Sequence, residues 1–141
     1  MLGPVTPLLI TWVLTALAAV VVVLTRVRLA RDTGEAAGRI SIPAGVLTVH
    51  TVAGGLALVV WVVFLLTEVT ALGWIGVLLW WVTAVAGLLV LARWVPARGK
   101  HSSGPATDSW GEGPGLSVLA HVGLLVGTVI FTVFLALGKL S

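Results

Sequence analysis

Four apolar runs, 7–25, 46–67, 72–92 and 116–137, limit what this chain can become more than any other feature. Each is close to the roughly 20 residues that a helix needs to cross the hydrocarbon core of a bilayer. With 59% of its residues hydrophobic and only 9% charged, the chain falls far below the roughly 25% charge of an ordinary soluble domain. The expected fold is all-α: an integral membrane four-helix bundle in a single domain spanning 1–141. The opening "MLGPVTPLLI" has no positive side chain before Arg26, so the first run reads as a helix rather than a cleaved signal. Pro7 suits the first turn of that helix, where its missing N–H costs nothing.

The charges orient the bundle. Arg26, Arg28, Arg31 and Arg39 fall between the first two runs, and Arg93, Arg98 and Lys100 between the last two, which leaves Lys139 alone at the other end. Basic loops stay on the cytoplasmic side. Loops 26–45 and 93–115 are therefore expected inside, and both termini on the outer face of an inner or plasma membrane. A net charge of +3 would suggest nucleic acid in a soluble chain. Here it belongs to loops that meet anionic lipid, and no nucleic-acid partner is expected. "RLARDTGEAAGRI" could form a short surface helix, and "GKHSSGPATDSWGEGPG" reads as a linker.

The two halves resemble each other. At an offset of 68, Trp12 falls on Trp80, Thr15 on Thr83 and Ala16 on Ala84; at an offset of 71, His50 falls on His121. The reading is two tandem helix pairs of the same topology, a parallel repeat. Inverted repeats are the commoner mark of alternating-access transporters, so a transporter reading loses weight.

His50 and His121 lie near the starts of the second and fourth runs. Those helices run in the same direction, so the rings are expected at similar depth. Ionisable groups inside a membrane segment are costly and point to function. Eighteen residues make five whole helical turns and about 27 Å of rise, which sets Glu68 along the helix from His50 and Lys139 along the helix from His121. Glu68 and Lys139 are expected near the far surface as a structural pair.

Two imidazoles at one depth in a four-helix core are a ligand set for haem iron. Haem b held by His50 and His121 is the leading expectation. Gly54 and Ala57 would give the macrocycle room, and Trp61 and Phe64 continue the His50 face. Thr128 and Thr132 continue the His121 face, though they could equally bond their own backbone. Arg39, Arg93 and Arg98 could meet the propionates. Gly54, Gly87 and Gly127 mark candidate close helix contacts. The competing account is that the histidines hydrogen-bond across helices, to Thr48, Thr51, Thr83 or a carbonyl, and fix packing. Zinc is disfavoured, because it wants three or four protein ligands. The chain has no cysteine, which excludes disulfides, thiolate-ligated clusters and covalently attached haem.

On His50, His121 and the topology, the chain resembles the four-helix, b-haem membrane subunits that anchor respiratory dehydrogenases and related quinone-linked enzymes. The resemblance implies a non-catalytic electron-transfer subunit, working with quinone or a redox partner among other membrane subunits of a respiratory complex. A two-haem cytochrome of the ascorbate-reducible type would need four helix histidines, and these helices carry two. The alternative is a haem-free accessory subunit of a larger respiratory or transport complex, its Trp-rich and Val/Leu-rich faces meeting neighbouring subunits or lipid.

Overall fold

The computed structural model describes residues 6–31, 44–94 and 114–140. These form four helices: α1 (Pro7–Arg31), α2 (Ala44–Thr67), α3 (Thr70–Trp94) and α4 (Pro114–Ala136). Each is long and apolar enough to cross a membrane. Arg39, Arg98 and the linker lie outside the described residues.

Pro7 is the first residue of α1, as its fixed φ favours. The Thr6 hydroxyl caps the helix by accepting the N–H of Leu9 at 3.2 Å. α1 continues past its apolar run to Arg31, since Arg and Leu are good helix formers and nothing in Arg26–Arg31 breaks the helix. Part of the expected surface helix is thus the end of α1.

α2 and α3 are joined by Glu68 and Val69 alone, a tight αα-hairpin. Glu68 adopts φ 57° and donates its N–H to the Phe64 carbonyl at 2.7 Å, which closes α2 with a left-handed cap. α4 closes with the fuller motif. Gly138, at φ 60°, bonds Leu135, and Lys139 bonds back to Phe134 at 2.9 Å. A side chain in the left-handed region is strained, so Glu68→Gly should raise stability by roughly 1 kcal/mol, read by thermal unfolding in detergent.

These two caps hold the residues expected as a Glu68–Lys139 pair. Both residues lie beyond the ends of their helices, so the eighteen-residue register does not reach them. Both are exposed, and no ion pair joins them among the described residues.

The helices pack in a ring. α1 touches α2 and α4, while α3 touches α2 and α4; α1 faces α3, and α2 faces α4, across the diagonals. The α2–α3 contact is the largest, because glycine lets the backbones close. A Cβ at Gly76 would lie 3.1 Å from Trp61 Cε3 and 3.4 Å from the Trp61 backbone, and one at Gly73 would lie 3.0 Å from Phe64 and Leu135. α3 has 44% of its span buried against 17% for α1, so α3 is the central wall and α1 the peripheral one.

The interior divides in two along the axis. Toward the Glu68 end, Trp61, Phe64, Trp80 and Phe131 form a buried aromatic plug, with Trp61 and Phe131 ring centres 4.6 Å apart. Trp61 and Phe64 therefore fill the core of this half instead of standing beside the histidines. The indole of Trp61 donates to the Thr15 hydroxyl on α1 at 3.1 Å, and that of Trp81 to Thr132 on α4 at 3.1 Å; the buried Trp80 N–H has no partner among the described residues. Cross-helix bonds in membranes average about 0.6 kcal/mol and reach about 1.7. Thr15→Val, which strands a buried indole N–H, should fall in the upper part of that range in a reversible unfolding titration.

Candidate functional site

Toward the other end the core residues become small: Ala53, Gly54, Ala84, Ala86 and Gly87 are all buried. In that half the diagonal helices α2 and α4 deliver His50 and His121 to the bundle axis. The ring centres stand 5.8 Å apart, with planes inclined by 23°.

α3 supplies the floor. A Cβ on Gly87 would lie 2.6 Å from His121 Cδ2, 2.9 Å from His121 Nε2 and 2.9 Å from His50 Cε1. Real side chains essentially never approach so closely, so both rings occupy space that exists because residue 87 has no side chain. The same absence uncovers a carbonyl. His50 Nδ1 donates to the backbone oxygen of Thr83 at 3.0 Å, four residues before Gly87. Helical Cβ atoms tilt toward the N-terminus, so a side chain at 87 would lean over that oxygen. Since a carbonyl only accepts, Nδ1 carries the proton and Nε2 of the neutral ring keeps its lone pair.

Of the other expected site residues, Gly54 lies beside the pair, and its Cβ would meet Thr83 Cγ2 at 3.3 Å. Ala57 is fully buried, one turn further toward the aromatic plug. Arg93 is near the end of α3, six residues or about 9 Å of rise past Gly87. Gly127 meets nothing within 4 Å and marks no close contact. Thr128 and Thr132 donate to the carbonyls four residues earlier, at 2.8 and 2.7 Å, so they hold their own helix. Of the expected alternatives, the carbonyl partner of His50 is that of Thr83, and of the three candidate glycines Gly87 is the one against both rings.

Two ring nitrogens, each roughly 2 Å from one metal ion, would place ring centres about 6 Å apart, close to the 5.8 Å here, so His50 and His121 could hold one iron between them. The gap left by Gly87 and the tethered Nδ1 suit it too, because metal-bound histidines commonly donate their second N–H to a carbonyl. Among the described residues no cluster of three or more His, Cys, Asp or Glu exists, which disfavours an all-protein metal site. Volume is the opposing term. The cavity beside His50, closed on the α1 side by Ala18, Val21 and Val22, measures about 50 Å³, against the roughly 300–1,000 Å³ of a cofactor pocket. A cavity of this size does not hold a porphyrin.

Comparison with protein-family models, with curated proteins and with solved structures found no match.

Proposed function

We propose that the chain is a multi-pass membrane protein that holds one b-type haem between His50 and His121 and serves as an electron-transfer subunit beside quinone or a redox partner. The observation that carries this reading is the meeting of two imidazoles from diagonal helices, 5.8 Å apart at the bundle axis. When bound, such a haem supplies a one-electron redox centre. The chain's own contributions are separable. His50 and His121 ligate, the Thr83 carbonyl fixes the orientation and tautomer of His50, and Gly87 keeps the space between the rings free of side chain. α1, the helix with the least buried span, is the wall that would have to move outward to admit the macrocycle. Arg93 lies toward the same end and can meet carboxylates of the cofactor or anionic lipid.

Orientation follows from charge. Seven of the eight Lys and Arg residues fall before α2 or from the last turn of α3 to the start of α4, so the histidine end faces the cytoplasm and the Glu68 link the outside. The tandem repeat fits the ring order, in which α1 and α3, and α2 and α4, exchange across the bundle axis.

A second reading is favoured by the closed packing and by the His50–Thr83 bond: a haem-free accessory subunit in which the histidines only lock α2 to α3. A reduced-minus-oxidised spectrum of the full-length protein, purified from haem-replete cells, separates the two. A b-type difference band at one haem per chain is the expected result. A colourless, fully helical preparation rejects the first reading in favour of the second.

A further inference from the structure

Threonines in these helices follow a rule. Thr11, Thr15, Thr67, Thr83, Thr128 and Thr132 each donate to the carbonyl four residues earlier, at 2.7 to 2.9 Å. Such back-bonding is how a hydroxyl is satisfied where water is scarce. Thr51 departs from it. It is half-buried, makes no hydrogen bond to any described residue, and lines the cavity beside His50 together with Gly54, Val22 and Leu124.

We infer that this cavity is a water-binding site, anchored by the Thr51 hydroxyl and touching the edge of the His50 ring. Size and chemistry both favour water. A cavity of about 50 Å³ exceeds the roughly 10–15 Å³ that one water requires, so it takes about three. Purely apolar cavities stay dry, and a bound water needs two to four polar partners. Here the Thr51 hydroxyl is unpaired, the Thr83 hydroxyl keeps acceptor capacity after its own donation to Leu79, and the imidazole edge is polar. Water so placed supplies a proton donor and acceptor next to the histidine pair, deep among apolar side chains. The inference concerns the closed bundle and does not rest on haem being bound.

Hydroxyl-radical footprinting of the full-length protein in lipid nanodiscs, read by mass spectrometry, tests it, since radicals made from bound water label the side chains around that water. The informative comparison is at matched depth. Val22 and Leu124 line the cavity, whereas Val23 and Val52 lie on the outward faces of α1 and α2. Labelling at Val22 and Leu124 is expected to be several-fold above that at Val23 and Val52. It should fall to their level in Thr51→Val, which keeps the side-chain shape but removes the hydroxyl, and in Val21→Phe, which fills the space. Equal labelling of the inward and outward residues in the unsubstituted protein overturns the proposal. So does undiminished labelling in Thr51→Val. The haem spectrum reports on the histidines and the footprint on the cavity, so each can fail alone.

Discussion

Full-length protein carrying either His50→Ala or His121→Ala is expected to show no b-type difference spectrum when purified from haem-replete cells, whereas the unsubstituted chain shows one. Each single change should remove the whole signal, because the rings come from opposite helices and neither has a substitute: among the described residues these are the only histidines. Loss of the fold is a poor alternative explanation. The bond that His50 makes to Thr83 belongs to a class averaging about 0.6 kcal/mol in membranes, so helicity and thermal unfolding should shift little. His50→Gln sharpens the experiment, since a Gln amide retains an N–H donor but not an imidazole ligand. It should remain as colourless as the alanine variant. A band of undiminished intensity in any of the three variants removes the pair from consideration as haem ligands.

Gly87→Ala should be the most damaging single methyl that can be added to this chain. Its Cβ falls 2.6 to 2.9 Å from atoms of both imidazoles, and the obstruction is two packed rings rather than the end of a flexible side chain. One ring must leave the axis or α3 must retreat from α2. Overpacking of this kind costs about 1–3 kcal/mol, and the His50 bond to Thr83 should be lost with it. Gly123 provides the control, because a Cβ there meets nothing within 4 Å. Alanine is the better helix former by up to about 1 kcal/mol, so Gly123→Ala should be neutral or stabilising in the same unfolding assay. If Gly87→Ala proves as stable as Gly123→Ala and the difference spectrum is unchanged, the histidines do not pack against α3 in the way described.

The four helices were legible because a run of about 20 apolar residues has few alternatives. The convergence of His50 and His121 was legible because α2 and α4 run in the same direction and carry the residues at matched positions. Facing was much less so. These helices are apolar nearly all round, and Leu and Val fill most of the exposed faces while Thr11, Thr15, Thr83, Thr128, Trp61, Phe64, Trp80 and Phe131 turn inward with small Ala and Gly residues. The usual rule that the apolar stripe marks the core therefore gives no guidance, and it is small and hydroxyl-bearing residues that mark contact. This is why Trp61 and Phe64 fit a place beside the histidines on periodicity, yet fill the core nearer the Glu68 end. Gly87 was legible as one of three candidate close contacts, and a carbonyl as one possible partner of a histidine, but residue types alone do not say that Gly87 makes room for both rings or that the carbonyl is that of Thr83. For Glu68 and Lys139 the sequence register says little, because helical phase is not carried past a left-handed cap.

The two-residue link between α2 and α3 has a consequence for biogenesis. Chain that must be pushed through hydrocarbon during insertion is costly chiefly through its charges, at about 2.5–3.5 kcal/mol for an Asp, Lys or Arg at the bilayer centre. Glu68 is the single Asp, Glu, Lys or Arg between Thr48 and Leu89, and a carboxylate can cross in its neutral, protonated form. With the orientation proposed above, the α2–α3 hairpin, closed by Gly73 and Gly76, would enter the bilayer as one preassembled wedge with little to drag across, and α1 and α4 would dock against it.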